Sequence, residues 1–398
     1  VRDGKTQVRE WLDKSVMNFR APPSSYVLGE GGYGVVYTAV FEGHACAAKE
    51  IKISERVTHT KVLREVRAYE QVQKVDGERS PYVVEFFGHV QQEASHILYL
   101  ELCELGDLLN LVTEGGVDVR LSRKLFGQLL RAVGYMHGRG VAHRDIKLEN
   151  VLVAGSGDLR LCDLGLAART RAGGRQCICT DFAGTHSYTA PEVWAAASYD
   201  AFLSDAWSCG VCLFTMLTTM FPFAKADPSP EDGEVDWRLQ LLQECEDDPG
   251  AFVLKLHAEL RRECTIAESG LHLITSLLTI CPERRATVAT AALSPWLIEA
   301  ETEHSWPRDE LLAKMEMSAQ PPTADRSRSS TSWSSEEVLF RSFQQACGAE
   351  TPPAELLPPP RPDCIVLELR RQRAHSGSRS LRRPRVEVAE WFLDIASC

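Results

Sequence analysis

The sequence predicts a two-lobed α+β fold, in which a small antiparallel β-sheet lobe with one main helix precedes a larger, mainly α-helical lobe. Between residues 26 and 102, short β-like runs surround a single helical pattern. Between residues 108 and 298, apolar residues recur at helical spacing. Farther on, Ser/Arg-rich and Pro-rich stretches replace these periodic patterns.

These changes predict the domain boundaries. We expect a flanking segment over residues 1–25, where a short helical pattern ends at two prolines. A sheet lobe over 26–102 and a helical lobe over 108–298 together form one domain, residues 26–298. Residues 299–398 are expected to be a mostly disordered tail.

The individual elements follow from local periodicity. The β-like runs cover residues 26–28, 35–41, 45–51, 83–90 and 97–102, and the helix of the first lobe lies near 61–72. The longest helical patterns of the second lobe cover 120–137, 202–218, 237–245 and 271–278.

Composition excludes several classes of protein. The chain has 398 residues, 44% of them hydrophobic, and a net charge of −11, which argues against general nucleic-acid binding. No uncharged apolar run approaches the roughly 18 to 20 residues of a membrane span, so no integral membrane segment is expected. The 13 cysteines form no tightly spaced framework, which favours reduced thiols in the cytoplasm or nucleus.

The segment from Leu28 to Val36 carries the pattern G-x-G-x-x-G-x-V, with glycines at Gly29, Gly31 and Gly34. Glycines allow backbone amides to approach phosphate groups, and Val36 can cover a nucleotide base. The pattern also occurs in dinucleotide-binding loops and in plain tight turns. A dinucleotide loop needs a helix after the last glycine, whereas a second β-like run follows here.

Lys49 follows Ala47 within an apolar strand pattern, where an unpaired ammonium would be costly to bury. It therefore needs an acidic partner. Glu65, in the helix of the same lobe, is favoured by its spacing, and Glu70 is the alternative.

The most specific signal is the run His143–Asn150, which reads H-R-D-I-K-L-E-N and is followed by Asp163-Leu164-Gly165. With the glycine pattern and Lys49, it resembles the eukaryotic protein kinase family over about residues 26–298. The resemblance implies that ATP binds beneath the glycines, beside Ala47 and a hinge near Glu101 and Cys103.

The same resemblance implies roles in phosphoryl transfer. Lys49 would hold the α- and β-phosphates of ATP, Asp145 would accept the proton of the substrate hydroxyl, and Lys147 would contact the γ-phosphate. Asn150 and Asp163 would hold Mg²⁺. Thr185 would contact both Asp145 and Lys147, a pairing that marks serine/threonine rather than tyrosine specificity.

Two further expectations concern the frame of the second lobe. Glu192 should pair with Arg285, and Asp205 should be the buried aspartate that anchors the catalytic loop. The Leu of Asp163-Leu164-Gly165 replaces the usual Phe, which keeps apolar packing while losing aromatic area.

Arg144, immediately before Asp145, suggests control by a negative charge on the activation segment. Asp181 occupies the position where many relatives carry a phosphorylated threonine, and Thr180 is its neighbour. Two hypotheses follow. Either Asp181 partly substitutes for the phosphate, or Thr180 is phosphorylated.

Asp107 and Glu149 match acidic positions that some relatives use to bind arginines before the target residue. A ribose contact for Asp107 and a solvated loop charge for Glu149 are the alternatives. Thr215 stands where strongly basophilic relatives have another acid, so we expect a moderate preference for basic residues N-terminal to the target.

The sequence is thus interpreted as an ATP- and Mg²⁺-dependent protein serine/threonine kinase that acts on protein substrates. It looks closest to the calcium/calmodulin-dependent, AMP-activated and checkpoint-like kinases. Regulatory proteins bound through the tail are a further expectation. The alternative is a pseudokinase or scaffold that retains ATP binding, and intact Lys49, Asp145, Asn150 and Asp163 argue against it. A kinase of small molecules lacks support.

Overall fold

A computed structural model describes residues 27–31, 34–73, 82–113, 117–170, 176–195, 198–231, 233–245 and 248–298. The flanking segment 1–25 and the tail 299–398 lie outside the described residues, so the expectations for them stay predictions.

The first lobe contains a five-stranded antiparallel sheet in the order β1-β2-β3-β5-β4. The strands are β1 (Val27–Gly31), β2 (Gly34–Phe41), β3 (His44–Lys52), β4 (Phe86–Gln91) and β5 (Ser95–Glu101). Glu42 and Gly43 join β2 to β3 with φ of 50° and 84°. Two successive positive φ values fit the two-residue turn that matches the twist of a hairpin.

Helix α1 (His59–Gln73) covers one face of this sheet. Its buried residues recur at helical spacing and include Val62, Val66, Tyr69 and the carboxylate residue Glu65. The ring of Tyr69 stacks on Phe86 of β4 with 5.4 Å between centroids. The packing of this apolar stripe directs Glu65 toward the sheet.

The second lobe is mainly helical in its described part. Its helices are α2 (Leu108–Thr113), α3 (Val119–Gly138), α4 (Pro191–Trp194), α5 (Ala201–Thr218), α6 (Trp237–Glu244), α7 (Pro249–Glu259), α8 (Glu268–Leu277), α9 (Val288–Ala291) and α10 (Pro295–Ile298). The Asp118 side chain accepts a hydrogen bond from the Leu121 amide and caps α3, and Asp200 caps α5 in the same way through Phe202.

Helix α5 forms the centre of this lobe and packs on α3 and α8. Among the described residues it is the one helix long and apolar enough to cross a membrane, with 18 residues and a mean hydropathy of 1.3. However, 83% of it is buried within the protein, and it carries Asp205. Its apolar character is that of a core helix.

Short strand pairs form the region between the sheet and the helices. β6 (Val141–Ala142) pairs with β9 (Ala168–Arg169), and β7 (Val151–Val153) pairs with β8 (Leu159–Leu161). A smaller pair joins β10 (Ile178–Cys179) to β11 (Tyr199–Asp200). Residues 143–150 connect β6 to β7, and Asp163 follows β8.

The fold class is confirmed, and one predicted strand boundary is wrong. The strand predicted over 83–90 begins only at Phe86, because Val83 forms an isolated parallel bridge with Leu161 instead. Helix α7 was not predicted, because Pro249-Gly250 resembles a turn. A proline is nevertheless compatible with the first turn of a helix, whose amides have no partner within the helix.

A buried ion pair connects α4 to the loop before α9. Arg285 Nη1 lies 2.6 Å from Glu192 Oε1, and Nη2 lies 2.9 Å from Oε2, as predicted for this pair. Arg285 also donates to the carbonyl groups of Thr279, Leu203 and Ile280. The guanidinium is therefore satisfied on all sides although the Arg285 side chain is 0% exposed.

We predict that Arg285→Ala lowers the free energy of unfolding by about 3–5 kcal/mol, because it leaves the buried Glu192 carboxylate without its partner. The neighbouring exposed Arg284 gives a matched control, and Arg284→Ala should change stability by less than about 0.5 kcal/mol. Urea unfolding followed by circular dichroism measures both. Equal midpoints for the two variants would contradict the prediction.

Candidate active site

One ammonium group joins three elements at the site. Lys49 Nζ, on β3, lies 2.8 Å from Glu65 Oε1 on α1 and 2.8 Å from Asp163 Oδ1 after β8. Burial favours the neutral amine, but the two carboxylates outweigh it and raise the pKa of Lys49 well above its ordinary value. Lys49 is thus a fixed cation.

Asp163 is held as a carboxylate. Burial would raise its pKa, but the ammonium of Lys49 prevails and lowers it to about 2. The Asp163 backbone has a φ of 63°, a left-handed conformation that residues other than glycine rarely adopt. Its amide donates to the Tyr69 hydroxyl at 3.1 Å, and the Gly165 amide donates to Oδ1 at 3.3 Å.

Four predicted residues meet at the loop between β6 and β7: three lie on it, and Thr185 approaches from the activation segment. The Thr185 hydroxyl donates to Asp145 Oδ1 at 2.7 Å and accepts from Lys147 Nζ at 2.8 Å. Lys147 Nζ also lies 3.1 Å from Asp145 Oδ2. Asn150 Nδ2 donates to the backbone carbonyl of Asp145 at 2.8 Å and to its Oδ2 at 3.1 Å. The Asp145 carboxylate is therefore oriented from three directions.

The Asp205 carboxylate on α5 holds the backbone of the loop between β6 and β7. Its two carboxylate oxygens accept from the amides of His143 and Arg144, both at 2.8 Å, and from His137 Nε2 at 2.8 Å. Arg144 has a left-handed φ of 68°. The hydrogen bonds to the buried Asp205 carboxylate compensate the strained conformation of Arg144, the residue before Asp145.

The glycines of the segment lie at the ends of β1 and β2 that face each other. A Cβ atom at Gly34, whose φ is 147°, would lie 1.9 Å from the Glu50 carbonyl oxygen, so only glycine fits there. A Cβ at Gly29 would meet nothing within 4 Å, and Gly31 pairs with Gly34 in the hairpin. Leu28 on β1 is exposed.

Apolar side chains pack together beside this hairpin. Ala47 and Leu102 form a buried cluster, and the half-buried Val36 and Ala45 pack against it. Val36 and Ala47 were predicted to contact ATP, whereas Leu102 and Ala45, which pack with them, were not among the predicted residues. Their places in a strand and its end were visible, but nothing in the sequence marked them as neighbours of Val36 and Ala47.

The predicted hinge residues Glu101 and Cys103 lie at the end of β5 and two residues beyond it. The Glu101 amide donates to the Glu85 carbonyl at 2.8 Å, while the Glu101 carboxylate accepts from Arg160 Nε at 2.8 Å. Burial raises the pKa of the Cys103 thiol well above its ordinary value, so this thiol stays neutral.

These residues fit Mg²⁺ and ATP. Mg²⁺ prefers oxygen ligands and is usually held by one or two protein groups together with phosphates and water. Asp163 offers an ionised carboxylate, and Asn150 keeps its amide oxygen because its Nδ2 is used by Asp145. No group of three or more His, Cys, Asp or Glu in the described ranges could hold a metal alone. Asp163 and Asn150 thus offer two oxygen ligands to an ion that also binds phosphate.

Comparison with known proteins agrees with this geometry. Residues 24–297 match the family described as Protein kinase domain. The chain belongs to this family.

Curated relatives of this chain include protein kinases of two plants. The chain is 35% identical over 202 residues to CBL-interacting serine/threonine-protein kinase 18 of Arabidopsis thaliana. The aligned residues are 50% of this chain and 38% of that relative. The chain is also 32% identical over 276 residues to CBL-interacting protein kinase 12 of Oryza sativa subsp. japonica. This alignment covers 68% of this chain and 46% of that relative. The chain thus spans about half the length of the curated relatives that it matches.

The activation segment of the kinase domain places Asp181 against Arg144. Arg144 Nη2 lies 2.9 Å from Asp181 Oδ1 and donates to the Asp181 carbonyl at 3.0 Å. The Tyr199 hydroxyl accepts from the same nitrogen at 3.0 Å and donates to that carbonyl at 3.0 Å. Tyr199 had no sequence signal, because it lies on β11 beyond the segment. Thr180 is exposed.

The two acidic residues predicted for substrate binding lie within electrostatic range of each other. Burial raises the pKa of Glu149, and the charge of Asp107 adds to this rise. Glu149 Oε2 accepts from the Tyr188 hydroxyl at 3.2 Å, while Asp107 Oδ1 accepts from the Asn110 amide at 2.9 Å and caps α2. Both carboxylates therefore also have structural partners.

We predict that Thr185→Val lowers kcat by about 10- to 100-fold, because it removes two hydrogen bonds to charged groups. Thr185→Ser keeps the hydroxyl and should retain most of the activity. Steady-state kinetics with a peptide substrate and ATP measure both variants. If serine and valine reduced kcat equally, the hydroxyl would have no part in positioning Asp145.

Proposed function

We propose that this protein is an ATP-dependent serine/threonine kinase that transfers the γ-phosphate of ATP to Ser or Thr hydroxyls of protein substrates. The observation that carries the proposal is the Asp145 carboxylate, which Thr185, Lys147 and Asn150 hold within 3.1 Å. A carboxylate fixed in this way is a base aimed at one position.

The other residues support a negatively charged phosphate chain. Lys49 and Lys147 are fixed cations, and burial of the site strengthens their attraction to phosphate oxygens. When bound at Asp163 and Asn150, Mg²⁺ would neutralise charge on the transferring group. Each element of the machinery is intact, so a pseudokinase is the less favoured function.

We predict that Asp145→Asn lowers kcat by about 10²- to 10⁴-fold, the usual contribution of a general base. Asp163→Ala should remove activity and weaken Mg²⁺-dependent nucleotide binding, whereas Asp145→Asn should leave nucleotide binding intact. Transfer of labelled phosphate to an arrayed peptide library, together with nucleotide-binding titrations, checks both variants. Equal phosphate transfer by the native protein and Asp163→Ala would refute the enzyme and leave a nucleotide-binding scaffold.

We further propose a moderate preference for basic residues N-terminal to the target. Asp107 and Glu149 support it, because their charges act on each other and an arginine side chain would relieve the repulsion. Thr215 is fully buried and adds no charge. The same peptide library tests this proposal, and acidic or proline-directed preference would refute it. A place among the calcium/calmodulin-dependent, AMP-activated or checkpoint-like kinases, and regulatory partners bound through the tail, also stay proposals.

Control by Asp181 is favoured over phosphorylation of Thr180. The Asp181 carboxylate supplies to Arg144 the negative charge that a phosphate would otherwise provide. The exposed Thr180 would gain such a charge only after modification.

We predict that Asp181→Asn lowers kcat by about 2- to 10-fold, because it removes the charge and keeps the side-chain size. Thr180→Ala is the matched control and should have native activity, and phosphatase treatment should leave the native kcat unchanged. A large loss of kcat on phosphatase treatment, reproduced by Thr180→Ala, would assign the switch to Thr180.

A further inference from the structure

Three histidines form a hydrogen-bonded chain in the sheet lobe, outside the site described above. His59 Nδ1 lies 2.7 Å from His96 Nε2, and His96 Nδ1 lies 2.7 Å from His89 Nε2. The central ring of His96 is 0% exposed, and the two outer rings are half-buried. The buried imidazole therefore uses both of its nitrogens within the chain.

The chain ties helix α1 to two strands. His59 is the first residue of α1, His96 lies on β5 and His89 lies on β4. His89 is in register with Leu98 of β5, which is in register with Lys49 of β3. Side chains in register share a sheet face, so the histidine chain lies on the face of Lys49.

This location connects the chain to the ion pair of the active site. α1 carries Glu65, whose carboxylate must approach the sheet face to within 2.8 Å of Lys49. The histidine chain holds the first residue of the same helix against the same face. Loosening of this end would give Glu65 a wider range of positions relative to Lys49.

The chain has a limited capacity for protons. Each link needs one N–H donor and one acceptor nitrogen, and three neutral imidazoles satisfy both links. One added proton is accommodated with both links intact, either on the central ring, which then donates in both directions, or on an outer ring, whose second nitrogen lies outside the links. A second added proton leaves one link with two N–H groups facing each other, and that link breaks.

The surroundings oppose even the first proton on the central ring. Burial lowers the pKa of His96, and the two neighbouring imidazoles lower it further. Burial also lowers the pKa of His89, against the opposing charge of Glu70 on α1. From β3 the chain faces the apolar Ile51, in register with His96, and Lys49 on that face is held by its own two carboxylates.

The sign of the pH effect follows. Since the folded protein binds these protons less readily than the unfolded chain, the contribution of the chain to stability is complete above the ordinary histidine pKa of about 6.5. It is lost as the pH falls below that value.

We propose that the chain His59–His96–His89 positions Glu65 and that mild acidification, by breaking the chain, lowers the kinase activity. His96 is a positioning residue, since it contacts neither nucleotide nor substrate groups of the site. The inference about activity rests on the proposed kinase function, whereas the inference about helix α1 does not.

Hydrogen exchange of the backbone amides in α1 tests the chain without any need for activity. In the native protein, protection of the first turns of α1, corrected for intrinsic exchange, should fall by about 2- to 10-fold between pH 7.5 and pH 5.5 (about one unit on either side of the ordinary histidine pKa). His96→Phe removes both links and keeps an aromatic ring in a strand, and its protection should not change with pH. Equal pH dependence in the two proteins would overturn the proposal.

The pH profile of kcat, measured with a peptide substrate, tests the link to activity. The native protein should lose about 2- to 10-fold more of its kcat on acidification than His96→Phe does. His272→Gln is the matched control, because its side chain is 76% exposed on α8, and it should follow the native profile. Parallel profiles for all three proteins would refute the effect on activity.

A second variant covers the case in which His96→Phe does not fold. His59→Gln removes one link at a half-buried position and should also flatten the pH dependence of exchange in α1. If the native protein phosphorylates no peptide, the proposed function fails. The exchange measurement still shows whether the histidine chain holds the start of α1.

Discussion

The buried ammonium of Lys49 is the constraint on which the site depends. An unpaired cation in this position would be costly, so carboxylates from two other elements must meet it. Glu65 can do so only if α1 packs on the sheet with its buried stripe inward, and Asp163 only if the residues after β8 turn back. The position of one charge thus ties the strand, the helix and the segment that carries Asp163 to a single arrangement.

The second lobe uses the same principle with the signs reversed. Asp205 is a buried carboxylate in an apolar helix, and its partners are two backbone amides and a histidine. Left-handed residues cost on the order of 1–2 kcal/mol each, and Arg144 and Asp163 are both in this conformation. Asp205 stabilises the first, and Tyr69 accepts from the amide of the second. At these two positions beside the site, hydrogen bonds thus hold the backbone in its left-handed conformation.

The sequence predicts most of this fold because its periodicity is strong and its motifs contain unusual residues in apolar surroundings. Lys49 and Asp205 are conspicuous, since charges in apolar runs demand partners. Tyr69 and Tyr199 could not be found in this way, because a tyrosine in a helix or strand is ordinary until its hydroxyl meets a distant backbone group. The late start of β4 likewise depends on a pairing with Leu161, far along the chain.

The histidine chain illustrates the same limit at a greater distance from the chemistry. His59, His89 and His96 occur in three separate segments, and no spacing relates them before the sheet and α1 are assembled. Once assembled, they share a sheet face with Lys49, whose partner Glu65 depends on the same helix. The Lys49 cation, which must be paired, fixes the middle of α1. Three imidazoles, which together can accept no more than one extra proton, fix its start. The two anchors of the helix therefore respond differently to acid, because Lys49 keeps its charge across the range in which the imidazoles titrate.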